Sequence, residues 1–588
     1  MTDLLRASAL ALAATTLMGV TPVQSYSTEQ LALLDPTVRL TSLCSGKGGP
    51  QSMRARLSLA AAVVQGAALP SIPLHDDLGK VHFAITTANP LAQRYFDQGL
   101  SYAYGFNHAA AIASFRAAQA ADPNCAMCYW GEALAHGPNI NAPMDPATNA
   151  RSVALALYAN WLASKASPVE RALTGAMLRR YSIDPKADRA TLDAAYADAM
   201  LAAAGAHPDH VDIAVLAAES AMDTLPWNYW TPDKNPQPRL GEAVQLVETV
   251  YARNPEHPQA AHLYIHLMEN GPNPKKAEAA ADRLATPLAP GAGHLVHMPA
   301  HIYYRLGRWK DSIRVNIAGA RADEAYIKAS GDRGLVRYGY YPHNVHFIVT
   351  SAQMAGDMPT AIREARRLSQ ILDPATSAQI AWIQAINAAP YFAASQFAAP
   401  GQVLAMKEPD KRLPYVAAMR HYARATAYAN LHNKVGFDRE IAALTKLRQS
   451  GAFQPMIDQG VPAPDLLQLA DTVARARFAS SAGRLNEAIK LYQDAIQTEA
   501  KIPYMEPPYW YFPVHQSLGA ALYRAGKYRQ AQEAFTAALA RYPNNGWALY
   551  GLAASERSLG NRARAAATQV ALNRAWMGDP RWLKMERL

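Results

Sequence analysis

Strand signals are the first thing this sequence has little of. β-branched runs are scarce in its 588 residues and turn-bounded alternating segments are hard to find, which argues against a sheet. No block of five or six like charges occurs. The net charge of +10 is spread over scattered Lys and Arg, and no nucleic-acid motif accompanies it, so a solvated basic surface is expected and a nucleic-acid partner is not. No Walker loop, Rossmann glycine fingerprint, Gly-x-Ser-x-Gly elbow or His-Glu-x-x-His zinc-protease motif stands out. No Gly/Ser-rich linker divides the chain. Cysteine is limited to three residues, Cys44, Cys125 and Cys128. Cys125-Ala-Met-Cys128 reads as a local disulfide or paired thiols. Tyr129 follows where c-type haem attachment needs His, and two cysteines alone cannot complete a four-ligand zinc site.

What remains is an alanine-rich, helical composition, half hydrophobic, with enough apolar residues for a large core or several. Its N-terminus reads as an export signal over residues 1–68. Residues 1–25 form one candidate, weakened by Asp3. The better one begins at Met53, where Met-Arg-Ala-Arg leads into Leu57–Leu69 with Gly66-Ala-Ala68 as the exit; we read Met53 as the start. Both apolar runs are short for a membrane span. Export would make the mature protein periplasmic or secreted. Residues 69–84 read as a linker.

The rest repeats itself. Tyr95, Gly99, Tyr102, Ala111, Phe115, Ala118 and Pro123 fall at positions 4, 8, 11, 20, 24, 27 and 32 of a 34-residue frame, the tetratricopeptide spacing. Leu518, Gly519, Leu522, Gly526, Ala531, Phe535, Ala538 and Pro543 fit it near the end, and Ala476, Ala479, Gly483, Ala488, Tyr492 and Ala495 fit one unit earlier. Small residues mark helix contacts, aromatics fill the gaps and Pro ends the second helix. Residues 85–580 are therefore expected to form one all-α, TPR-like α-solenoid, a right-handed superhelix. Its best-formed repeats are 92–125 and 469–578, its His-rich repeats are 258–370, and a tail follows at 581–588.

Seven of the 17 histidines lie between 262 and 346. Placing Ala277, Ser312 and Ala361 at position 20 of three units puts His262, His297 and His346 at position 5. His266 and His301 then share position 9, and His294 and His343 share position 2. An insertion at Gly331–Tyr341, read as a loop, lengthens the second spacing. Positions 2, 5, 9 and 12 face the concave groove, so the imidazoles are expected on its inner wall, with Glu269 (position 12) and Glu219 beside them. Neutral imidazoles paired at i, i+3 or i, i+4 are good ligands for a transition metal. An all-His set favours copper or zinc; His262, His266 and Glu269 can instead form a two-His-one-carboxylate iron site. Glu219 or Glu269 would be a ligand or general base.

Two aromatic segments break the helical pattern: Pro503–Pro513, and Pro226-Trp-Asn-Tyr-Trp230. Each reads equally as a plug between repeats or as a substrate-contacting lid. On the second reading Trp227, Trp230, Glu506, Trp510 and Tyr511, with Tyr304 at position 12, would meet a small organic substrate.

The run from His294 through Leu306-Gly-Arg-Trp309, together with Pro342-His-Asn-Val-His-Phe347, Cys128-Tyr-Trp-Gly-Glu132, Gly137-Pro-Asn-Ile-Asn141 and Glu506-Pro-Pro-Tyr-Trp-Tyr511, resembles a family of exported bacterial tetratricopeptide proteins. More distantly it is similar to the eukaryotic tetratricopeptide repeat protein 38 family. The resemblance spans roughly residues 85–580 and implies the fold, with no reaction to carry over. Two functions follow from these readings. One is an exported metalloprotein, acting as an enzyme on a small molecule. The other is a periplasmic scaffold holding a peptide or protein partner, with the histidines as polar contacts.

Overall fold

The computed structural model describes residues 72–184, 186–286 and 288–588; the export-signal reading, with Met53 and Cys44, lies outside them. The described chain is an all-α solenoid of antiparallel helix pairs. Two isolated bridges, Asn139 with Ala142 and Trp230 with Pro236, are all the extended pairing among the described residues. No helix among them is long and apolar enough to cross a membrane.

The repeat spacing works as its small residues require. In the first unit the Pro90–Tyr104 helix packs on His108–Ala121, and the ring of Phe115 fills the space left by two glycines. A Cβ on Gly99 would lie 2.7 Å from that ring and one on Gly131, in the next helix, 2.3 Å. The last units repeat this: Phe535 is held between Gly519 (2.8 Å) and Gly551 (2.1 Å). Each ring is thus clamped by its own repeat and the next, which carries order from unit to unit. Cys125 and Cys128 form a disulfide at the start of the Ala126–His136 helix, with Cys125 as its N-cap.

The core has two large halves. They meet at the helices Trp309–Ser330 and Tyr341–Ala355, whose opposite faces join different halves: Trp309, Val315 and Phe347 on one side, Ile313, Val345 and Ile348 on the other. The superhelix then closes on itself. Trp309 donates its indole N–H to the Asn544 carbonyl at 3.0 Å, and Trp547 donates to the Gln353 carbonyl at 2.8 Å. The turn glycines Gly307 (φ 68°) and Gly356 (φ 75°) permit this approach twice over. They adopt the left-handed conformation, and a Cβ on either would run into Pro543 or Trp576.

Closure changes the expected setting of the histidines. An open concave groove was anticipated. Instead, the first repeat's corner at Tyr104–Phe106 and the loop around Tyr504 fill that space, and His262 and His297 are fully buried. The insertion also differs from the anticipated loop. Val336–Tyr340 winds as a π-helical turn that leads directly into Tyr341–Ala355. Such turns re-aim side chains locally, and this one lays the Tyr340 ring on His294 at 4.4 Å.

Candidate metal centre

Three helical segments carry the ligand candidates: Pro258–Glu269, the broken pair Gly293–His297 and Pro299–Leu306, and Tyr341–Ala355. Pro258 and Pro342 sit in the first turns of their helices, where a missing N–H is harmless. Pro299 interrupts the middle segment between His297 and His301.

The segments bring six imidazoles into two triads. His262, His266 and His294 offer nitrogens within 4.8 Å of one another, and so do His297, His301 and His343. In repeat terms the two are the same object: positions 5 and 9 of one repeat plus position 2 of the next. Each triad therefore straddles a seam. A phenylalanine ring covers each, Phe106 at 4.6 Å from His262 and Phe347 at 4.9 Å from His301. The triads are neighbours, with the rings of His266 and His301 5.6 Å apart.

Four of the six rings have the nitrogen turned away from the centre occupied. His262 donates its Nδ1–H towards the Tyr104 carbonyl and Gln259 Oε1, each at 2.9 Å. His266 donates Nδ1–H to Glu269 Oε1 at 2.7 Å and His301 to Glu269 Oε2 at 2.6 Å. His297 donates to Asn316 Oδ1 at 2.6 Å, and Asn316 is itself oriented by donating to the Ser312 carbonyl at 2.7 Å. These acceptors fix the tautomers and leave each Nε2 with a lone pair. His262 Nε2, His266 Nε2 and both nitrogens of His294 are buried without a hydrogen-bond partner. The Nε2 atoms of His297 and His301 face each other at 2.9 Å. Two lone pairs at that distance repel unless a proton or a cation lies between them.

Burial, then repulsion among the rings, holds the pKa of His262, His294, His297 and His343 well below the usual imidazole value. His266 is lowered by burial in spite of the Glu269 carboxylate. Neutral imidazole is the metal-binding form. For Glu269, burial alone would raise the pKa. Its electrostatic attraction to His301 and its hydrogen bonds from His266 and His301 outweigh that and hold it well below the usual carboxylate value. The donor set fits a transition-metal ion at each triad: three imidazole nitrogens within 4.8 Å of one another, two of the rings oriented from behind, to be drawn to the roughly 3.3 Å spacing that metal–nitrogen bonds of about 2.0–2.1 Å give in a tetrahedron.

The remaining expected residues are placed as follows. His346 stands outside both triads and shares a 2.8 Å hydrogen bond with the Tyr511 hydroxyl. It opens a third frame at position 5 whose position 9 is Thr350, so that frame has no second ligand. Glu269 has both oxygens engaged by histidines and also accepts the Tyr504 hydroxyl at 3.0 Å, which makes it an orienting group in place of the ligand or base expected. Glu219 lies one step back. It accepts from Gln259, whose other amide atom faces His262, and burial pushes its pKa up to about 7 against the pull of Arg180 and Gln259. Trp227, 38% exposed, sets its ring edge-on to His266 at 5.1 Å, while Trp230 donates to the Leu267 carbonyl farther along. Tyr304 is buried among Trp309, Phe347 and Tyr542. Trp510 and Tyr511 pack against Phe392 in the second half of the core. Glu506 is buried beside a cavity.

The sequence reading missed Asn316, Gln259 and Tyr504. Asn316 had a signal: it sits at position 24, where Phe115, Tyr492 and Phe535 are aromatic, and a polar residue there needs a buried partner.

Comparison with known proteins agrees with the repeat spacing. Residues 512–545 match the tetratricopeptide repeat model. No curated protein sequence matches the chain. Solved structures similar to it include the human IFIT1 dimer with m7Gppp-AAAA, at 12% identity and TM-score 0.28 over 84% of this chain and 91% of that one. Another is the APC/C hetero-tetramer Cut9-Hcn1, at 12% identity and TM-score 0.25 over 94% and 97%.

Proposed function

We propose that this tetratricopeptide-repeat protein is an exported metalloprotein that holds two transition-metal ions inside its solenoid, one at His262, His266 and His294 and the other at His297, His301 and His343. The observation that carries the reading is the pattern of hydrogen bonds behind the rings. Four of the six imidazoles have the outward nitrogen spent on a carbonyl, amide or carboxylate acceptor, so the inward nitrogens are lone-pair donors with no protein donor to meet them. Copper or zinc suits the all-nitrogen set best; iron is the third candidate, less favoured because Glu269 is committed to orienting histidines. Such an ion would supply Lewis-acid or redox chemistry. The chain's own part is to hold the rings, exclude bulk water with Phe106 and Phe347, and keep the ligands neutral. Export rests on the N-terminal signal reading alone.

The competing function is a scaffold for a peptide partner, the common use of this architecture. The chain's own filling of the interior at Phe106 and Tyr504 weighs against a peptide lying on these histidines. Metal content decides between them. It is measured by mass spectrometry on mature protein purified without a His tag or added metal, beside a His297→Ala/His301→Ala variant. Two ions per chain are expected, falling to one in the variant with its helical spectrum intact. Protein that carries no metal and takes none up tightly on titration would sink the metalloprotein reading and leave the scaffold.

A further inference from the structure

Next to the metal centre, separated from it by one side chain, is a cavity of about 160 Å³. Its walls come from the end of the Pro299–Leu306 helix (Arg305), the end of Leu485–Glu499 (Glu499), the loop at 502–510, and Arg541 with Tyr542. Cavities of about 150 Å³ accept a single six-membered ring.

Three polar groups of this wall lack partners. The Arg305 guanidinium makes no hydrogen bond or ion pair with any described residue. Its Nε is buried and unpartnered, and the guanidinium lies over the face of Tyr504 at 5.5 Å. Glu506, 6% exposed, has a buried Oε2 without a partner, and so does the buried indole N–H of Trp510. The two unsatisfied donors, on Arg305 and Trp510, call for a ligand with oxygen acceptors. The second cation, Arg541, has Glu499 as a partner at 3.5 Å. Burial, against the pull of Arg305, pushes the Glu506 pKa up to about 8, so at neutral pH the wall keeps an excess of positive charge. Most of the apolar surface comes from the rings of Tyr504, Tyr509, Trp510 and Tyr542, beside Ile502, Met505 and two prolines.

We infer that this cavity binds a small organic carboxylate with a flat, apolar body, its carboxylate on Arg305 and its body among the tyrosines and Trp510. Tyr504 connects the site to the metal centre. Its ring faces Arg305 and its hydroxyl donates to the Glu269 oxygen that orients His301. As the substrate site of a metalloenzyme the cavity rests on the metal reading above; as a binding site it stands without it.

The test is isothermal titration of the full purified protein with benzoate, and with benzamide as the uncharged isostere. Saturable benzoate binding is expected, with benzamide and the Arg305→Gln variant each weaker by about tenfold or more, the worth of one charge-assisted hydrogen bond. Equal binding of benzoate and benzamide by the wild-type protein would overturn the carboxylate assignment without recourse to any variant. So would undiminished benzoate binding by a folded Arg305→Gln protein, or no saturation up to about 10 mM. The titration is repeated on His297→Ala/His301→Ala. Benzoate binding retained there supports the cavity whatever the metal assay returns, and binding lost there overturns its placement at Arg305.

Discussion

Glu269 is one carboxylate serving two triads, and that makes it the most informative single residue to change. Its Oε1 holds His266 and its Oε2 holds His301. Gln has one acceptor oxygen in place of two, so Glu269→Gln must turn a donor towards one of the two histidines. Metal affinity should fall by about 10–100-fold, read by competition with a chelator, while Asn316→Ala should weaken only the His297 triad. Glu506 gives a pH test. Burial raises its folded-state pKa from 4.5 to about 8. The side chain therefore costs nothing below about pH 4.5, and its cost grows as pH rises towards 8, reaching on the order of 5 kcal/mol. Glu506→Gln should leave the unfolding midpoint unchanged at pH 4.5 and raise it above the wild type's at pH 8.5. A constant difference across that window would contradict the buried, raised carboxyl.

At the scale of the helix, the repeat spacing makes steric predictions. Gly131→Ala places a methyl group 2.3 Å from the Phe115 ring, and Gly551→Ala does the same to Phe535 at 2.1 Å. Each should destabilise by about 1–3 kcal/mol through overpacking, measured by chemical denaturation, and pairing Gly131→Ala with Phe115→Leu should recover part of the loss. This level was legible in the sequence because the contacts are local and periodic. Glycine, alanine and phenylalanine at fixed offsets state which faces touch, and position numbers alone put His262 with His297 and His266 with His301. They also held the triads' common form, since positions 5 and 9 plus the next position 2 describe both. Closure of the superhelix was not legible. Tyr104 and Phe106 reach the histidines, and Tyr504 reaches Glu269, across sequence separations no repeat frame encodes, so the groove looked open and Glu269 looked free. The π-helical turn at Val336–Tyr340 escaped for a related reason: an inserted segment has no register to read.

For the molecule as a whole, the return of the last repeats onto the histidine repeats should make the two behave as one cooperative unit. Trp547 is its fastening, with its ring buried against Trp576 and its N–H on Gln353. Trp547→Ala should cost about 3–5 kcal/mol. It should also raise hydrogen–deuterium exchange both in its own helix, Gly546–Ser558, and across the interface in Tyr341–Ala355. Faster exchange confined to the C-terminal helices would mean that the halves open independently. The seam-straddling triads add a mechanical side to this. A solenoid is a spring, and its compliance lies in the small rotations between neighbouring repeats. An ion gripped by two rings from one coil and one from the next is a rivet through that joint. With both triads filled, the stretch from His262 to His343 would be a stiff insert in an otherwise extensible coil, and pulling on its ends would stretch the molecule everywhere else first.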